Sequence, residues 1–396
     1  MRSSGFIFLI GILFITITDS LLFLQIKKYL CSRAKILAYW IHSLFFIAGL
    51  ITYHMVVPNL KGPEAYYWIA TGVAILFLFY IPKIVFIVIN GIALLSGFLS
   101  KMLSGILRKI ALIIAIFLFI VILHGITLGR YNYKTDTLEV CLKPLPDAFN
   151  GLKIVQLSDI HLGSYSRYYN GIPELVEKVN KLQPDLILFT GDMVNNFADE
   201  MKPWLETLGQ LKAKYGKYAV TGNHDYGDYT RWNSPEEKRR NMDNFYQNME
   251  KIGFTMLNNT NIPLIIGQDT LYFAGVENWG NPPFPRYGNL SQAIDSLNNQ
   301  LVILLSHDPS HWRGEVLDHK NIGLTLSGHT HAMQMGIRLG NWEWSPAQYI
   351  YPEYDGLYQK DQQYLHVSRG QGYLGFPGRI GLRPVISQII LTNKCQ

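Results

Sequence analysis

At 396 residues, 48% hydrophobic and 16% charged with a net charge of +6, the chain is long enough for two domains. It has no run of lysine and arginine interleaved with aromatics, and much of its positive charge sits in short loops of an apolar first third, which excludes a nucleic-acid footprint. The three cysteines, Cys31, Cys141 and Cys395, form no C-x-x-C pair, which argues against a cysteine-based zinc site; Cys31 lies beside a membrane segment, so only a Cys141–Cys395 bridge is conceivable, and nothing but the count supports it.

The first third carries four apolar segments, 5–26, 36–57, 67–89 and 109–129, within a transmembrane region drawn as 1–130. Each offers about 20 residues, enough to cross a hydrocarbon core about 30 Å thick. The first is no cleavable leader: its apolar run is too long, and Lys27 and Lys28 follow it with no small-x-small pattern. A helical core buried in protein would need polar faces at helical spacing, and Ile110–Ile122 has none. The first loop holds Lys27, Lys28, Arg33 and Lys35, the second only Lys61 opposed by Glu64, and the third Lys101, Arg108 and Lys109. Basic loops stay inside, so the N-terminus and everything after residue 130 are expected on the extracytoplasmic side of the membrane. Asp19, His42, His54 and His124 fall in or near the spans, where ionisable groups are costly and often functional.

The remainder, 131–396, alternates short apolar runs with polar turns: Lys153–Leu157 into Ser158-Asp159-Ile160-His161, Asp185–Phe189 into Thr190-Gly191-Asp192, Tyr218–Val220 into Thr221-Gly222-Asn223-His224-Asp225, Leu301–Leu305 into Ser306-His307-Asp308-Pro309, and Ile322–Leu326 into Ser327-Gly328-His329-Thr330-His331. Such runs suit strands buried on both faces, with helices at Ile172–Leu182 and Trp204–Lys214 between them, and Thr135–Leu142 reads as a strand soon after the last span. Ligands of open α/β sheets bind beyond the carboxyl ends of strands. Every candidate metal ligand falls there: Asp159, His161, Asp192, Asn223, His307, His329 and His331. His311, His319 and His366 read as ordinary core or surface histidines. Imidazole and carboxylate donors suit Zn, Mn or Fe, and a pair of divalent ions about 3.5–4 Å apart can clamp a phosphate and acidify a water. His224, next to Asn223, is placed to reach a leaving-group oxygen, and Asp225 either orients that imidazole or serves the turn.

The ordered blocks D-x-H, G-D, G-N-H-D, H and G-H-x-H resemble the calcineurin-like metallophosphoesterase family over about residues 150–392. Within it the chain is similar to the bacterial membrane-associated branch at Leu145-Pro146, at Gly151-Leu152-Lys153-Ile154-Val155, and at Ser368-Arg369-Gly370, Pro377-Gly378-Arg379 and Arg383-Pro384. The resemblance implies an αββα sandwich of two packed mixed β-sheets flanked by helices. It also implies that Asp159, His161 and His331 bind one metal, Asn223, His307 and His329 a second, with Asp192 bridging and His224 catalytic. Two departures from the branch matter: Ala332 and Met333 replace its usual glycines, and Val385 its usual Glu. The ligands are untouched, so the departures bear on loop shape around the substrate.

The expected activity is two-metal hydrolysis of a phosphoester or pyrophosphate, on a lipid or lipid-linked molecule, by metal-activated water with His224 protonating the leaving group. The aromatic loops 279–287 and 342–358 are candidates to touch lipid or simply to pack the domain, and Arg286, Arg379 and Arg383 are candidates to hold phosphate oxygens. A soluble nucleotide or phosphoester substrate, and a non-catalytic sensor or scaffold, are the competing readings. The expected partners are the phosphorylated substrate and the bilayer, with no nucleic acid and no oligomeric state specified.

Overall fold

The computed structural model describes residues 2–56, 62, 64–165, 170–282, 284–297, 299–340 and 342–395. They form two compact units, Met1–Thr127 and Leu128–Gln396. In the first, helices α1 (Arg2–Ile26), α2 (Arg33–Val56), α3 (Glu64–Ser96) and α4 (Lys101–Thr127) are all long and apolar enough to cross a membrane. Their apolar side chains face outward: Ile113, Ile116, Phe117 and Ile120 on α4 all stand exposed, as lipid-facing helices require. The stretch 90–108 holds the end of α3, a short turn and the start of α4. Lys61 of the second basic count lies outside the described residues.

The cost of an ionised group in this unit is met by pairing. Asp19, 1% exposed, takes Lys83 Nζ at 2.8 Å and the Tyr80 hydroxyl at 3.0 Å, and its backbone carbonyl accepts from Tyr39 at 2.5 Å. Lys83 is a partner invisible in sequence, 64 positions away on α3. Gln25 and Asn90 make a second polar link, with Asn90 donating at 2.7 Å.

The second unit contains strands β1 (Lys134–Cys141), β2 (Lys153–Leu157), β3 (Leu186–Phe189), β4 (Lys217–Ala219), β5 (Thr255–Met256), β6 (Thr260–Ile266) and β7 (Asp269–Gly275). They are followed by β8 (Val302–Leu305), β9 (Ile322–Ser327), β10 (Ile337–Leu339), β11 (Trp342–Trp344), β12 (Gly356–Lys360), β13 (Gln363–Val367) and β14 (Val385–Thr392). One mixed sheet runs β1-β14-β2-β3-β4-β5 and the other β12-β13-β9-β8-β7-β6. Period-two alternation sends Ile154, Leu186 and Leu188 into the layer between the sheets, with Phe273, Ile303 and Leu326 facing them. The neighbours Val155, Ile187 and Phe189 face outward onto α5 (Gly171–Lys181), α6 (Leu205–Leu208) and α7 (Pro235–Lys251). A third apolar layer, with Trp312 and Leu290, covers the far side of the second sheet. Two mixed sheets flanked by helices are the αββα sandwich.

The helix expected over Trp204–Lys214 is cut to Leu205–Leu208, with a 3₁₀ segment from Ala198 to Trp204 before it. Pro203 sits inside that segment, and Gly209 caps the α-helical turn. Cys141, ending β1, is disulfide-bonded to Cys395 after β14, its parallel neighbour.

Candidate metal centre

Strand register brings the motifs together. Leu157, Phe189 and Ala219 are aligned as Cα partners across β2, β3 and β4, and Leu305 pairs with Leu326 across β8 and β9. The turns that follow therefore emerge on a common edge. They are stitched to one another: Asp159 N donates to Gly191 O at 2.9 Å, and Gly328 N to His307 O at 2.9 Å. Across the sheets, His329 N donates to both carboxylate oxygens of Asp159 at 3.0 Å. Gln156 on β2 adds a buried polar bridge, donating to Ser327 O at 2.8 Å and accepting from His366 at 2.6 Å.

The ligand turns are tight. Asp159, His161, Asp192, His329 and His331 all hold positive φ, between 50° and 72°, a conformation costing a non-glycine residue about 1–2 kcal/mol. Strain at five of seven candidate donors is where a functional constraint would concentrate it. A Cβ on Gly222 would collide with the Asp192 carboxylate, so only glycine fits beside it. Ala332 and Met333, where the resembled branch carries glycine, take φ of +47°, so this loop keeps a glycine-like path without glycine.

All seven expected donors converge. His161 Nε2 lies 3.0 Å from His331 Nε2 and 3.5 Å from Asp192 Oδ2, while His331 Nε2 is 3.3 Å from Asp159 Oδ1. On the other side Asn223 Oδ1 lies 3.1 Å from His307 Nε2 and 2.9 Å from His329 Nδ1. Asp192 Oδ2 is 3.2 Å from His307 Nε2, so one oxygen faces both sets. Asp159, His161 and His331 form one group able to hold an ion, and Asp159, Asp192 and His307 another. Metal–ligand bonds of about 2.1 Å put neighbouring donors about 3.0–3.4 Å apart around one ion, close to these separations. The donors fit two divalent cations.

Second partners aim the donors. His307 Nδ1–H donates to Thr190 O at 2.7 Å, freeing Nε2. Asn223 Nδ2 donates to the Tyr229 hydroxyl at 2.8 Å, which turns Oδ1 inward. His329 Nε2 meets the Tyr351 hydroxyl at 2.9 Å. Burial lowers His161 to about 3 and His329 to about 4 and pulls His331 well down, so these rings are neutral and offer lone pairs. Burial also opposes a charged His307, but the Asp192 and Asp159 carboxylates push it up to about 10, so without an ion Nε2 keeps a proton toward Asp192 that a bound cation would displace. Burial raises Asp159 to about 7; it opposes ionised Asp192 too, yet His307 and His224 hold that carboxyl well below the usual range.

His224 stands beside the donors, its ring edge-on to His161 at 4.9 Å between centroids. Its Nδ1–H donates to the Asn195 carbonyl at 2.9 Å, leaving Nε2 uncommitted to that contact. Asp225 plays the other of its two expected parts. Its carboxylate accepts from the backbone N–H groups of Gly222, Asp192, Met193 and Val194 at 2.8–3.2 Å, which cross-links two ligand turns rather than orienting His224. Four buried donors would lose their acceptor in Asp225→Ala, so we expect at least about 3 kcal/mol of destabilisation, read as a fall in the denaturant midpoint.

The three candidate arginines all have partners within the chain. Arg379 is buried and donates to the carbonyls of Arg369, Gly370 and Gly372, tying up the loop behind Asp159. Arg286 pairs with Glu315 at 3.3 Å and lies over the Trp279 ring, and Arg383 holds Asn132. His311 and His366 are buried and hydrogen-bonded, to Ser306 and Gln156. Asn195, Tyr229 and Tyr351 escaped sequence reasoning; Tyr351 stood out there only as one of several aromatics.

The pattern of calcineurin-like phosphoesterases is matched over residues 152–333. A metallophosphoesterase of Bacillus subtilis, the uncharacterized YkuE, is 31% identical over 280 residues, covering 67% of this chain and 91% of that protein. The chain belongs to the calcineurin-like metallophosphoesterase family. It is also similar to the transmembrane protein with metallophosphoesterase domain of Danio rerio (29% identical, 73% of this chain covered) and of Bos taurus (32%, 64%). The chain spans 64% and 56% of those two proteins' own length. With four helices of membrane-crossing length, this is a membrane protein carrying a calcineurin-like metallophosphoesterase domain.

Proposed function

We propose that the chain is a membrane-anchored two-metal hydrolase that cleaves a phosphoester or pyrophosphate of a lipid or lipid-linked molecule. The observation that carries this reading is the single oxygen, Asp192 Oδ2, placed between two donor sets at 3.5 and 3.2 Å. In this reading Asp159, His161 and His331 hold one ion, Asn223, His307 and His329 the other, and Asp192 both. A bound pair of divalent ions supplies Lewis acidity to water and to phosphoryl oxygens. The chain's own residues do the remainder: the turns fix the donors, and His224, tethered through Nδ1 to Asn195, presents Nε2 to protonate the leaving oxygen.

Catalysis on the extracytoplasmic side is supported by two features. Lys27 and Lys28 lie between α1 and α2, Arg33 and Lys35 in the first turn of α2, and Lys101, Arg108 and Lys109 in the first nine residues of α4. The Cys141–Cys395 disulfide belongs in an oxidising compartment. A lipid substrate is supported by the membrane spans and by the exposed Tyr349 and Ile350, which precede Tyr351, whose hydroxyl meets His329.

The test is purification of the full-length protein in lipid nanodiscs, chelation, and reloading with Mn, Zn or Fe. We expect two equivalents of metal per chain, with hydrolysis lost on chelation and regained on reloading. We further expect a higher kcat/KM on a lipid phosphoester than on a nucleotide. Failure to bind metal would favour the sensor or scaffold, and preference for the nucleotide would favour the soluble-substrate reading.

A further inference from the structure

Of the ten large apolar side chains exposed among the described residues between 128 and 396, five lie in one short stretch: Ile337, Leu339, Trp342, Tyr349 and Ile350, at 50–76% exposure. The hairpin register gives this stretch two faces. Ile337 opposes Trp344 and Leu339 opposes Trp342, while Arg338 opposes Glu343. Directly opposed residues share a face, and alternate residues along a strand share it too. One face is therefore Ile337, Leu339, Trp342 and Trp344, with the Tyr349 hydroxyl 3.4 Å from Trp344 Nε1.

The other face is fastened to the domain. Arg338 pairs with Glu343 at 2.7 Å and lies 3.9 Å from Asp136 on β1. Arg369, nearly buried, reaches Asp355 at 2.8 Å and Glu343 at 3.7 Å. A hairpin held by charge on its inner side and bare of charge on its outer side is amphipathic by construction. It also springs from the metal centre. The chain leaves at His331–Gln334, forms the hairpin, and returns at Tyr351, whose hydroxyl bonds His329.

The geometry points to this hairpin, with Tyr349 and Ile350, as an element that seats in the lipid–water interface and passes lipid phosphoesters to the adjoining centre. The second half of that inference rests on the hydrolase reading above. The occupant is lipid because the chain is itself a membrane protein, with only residues 128–133 joining α4 to β1, about 20 Å when fully extended. Tryptophan and tyrosine with aliphatic neighbours is the composition that interfaces select. Apolar patches of this kind on a water-facing domain mark a binding surface.

The test uses full-length protein in phosphatidylcholine nanodiscs, in a Cys31→Ser background, with the environment-sensitive fluorophore NBD placed at Leu339→Cys. Ile265→Cys, on edge strand β6 and 63% exposed, is the control. Doxyl-labelled lipid should quench the probe at 339 several-fold more than at 265. Equal quenching at both positions would overturn the docking. So would shielding from iodide at 339 that persists in a lipid-free amphipol, because protein would then be the cover. In parallel, Leu339→Asp should lower turnover of dioleoyl phosphatidic acid at least ten-fold, with a soluble aryl phosphate hydrolysed as before. A parallel loss on both substrates, or no loss on either, would overturn the delivery. If the unaltered protein hydrolyses neither substrate, the hydrolase reading fails, and the quenching still decides the hairpin.

Discussion

Asp192→Ala is expected to lower kcat by at least about a thousand-fold, some 4 kcal/mol of transition-state stabilisation. Its Oδ2 is the atom facing both His161 and His307. Its Oδ1 accepts from His224 N at 2.9 Å, so the substitution also loosens the turn that carries the histidine. The backbone of residue 192 remains tied to Asp225, which should keep the domain folded. Metal content should fall below two equivalents while the circular dichroism spectrum and thermal midpoint stay near those of the parent. Asp192→Asn keeps the shape and loses the charge, so it should bind metal more weakly than the parent. Full turnover in the alanine variant, with two metals still bound, would sink the two-metal assignment.

His224→Ala should act differently, and the difference is diagnostic. No metal donor is removed, so two equivalents of metal should remain. General acid catalysis contributes about 10²–10⁴-fold, and only where the leaving oxygen needs a proton. Turnover of an alkyl phosphoester should drop by that factor, whereas a nitrophenyl ester with its stable phenolate should be nearly unaffected. Equal losses on both esters would point to a binding or structural part for His224. Steady-state kinetics on the two esters, with elemental analysis of the same preparation, decide the matter. The Asn195 carbonyl fixes the ring by its Nδ1–H, so the geometry that the prediction depends on is set by main chain rather than by a replaceable side chain.

The distribution of what could be read from sequence follows the range of each interaction. Local patterns were legible. The apolar runs 153–157 and 322–326 are strands within a residue of where they were expected, because burial on both faces writes a continuous apolar signature. The four spans were legible because helices facing lipid are apolar all round, although each helix begins three to eight residues before the segment drawn. The helix at 204–214 was misjudged because Pro203 and Gly209, both local helix breakers, were outweighed by its apolar pattern.

By itself the sequence determined which donor types stand at which strand ends, and that the first third is built for lipid. Only the tertiary structure decided how the donors combine: Asp159 and His331 are 172 positions apart yet 3.3 Å apart in space, through strand register and sheet packing. It also gave Asp19 its Lys83, turned Arg379 inward, set Asp225 to binding main chain, and exposed one face of a hairpin. Those outcomes depend on contacts between segments distant along the chain, whose energies exist only once the sheets have closed.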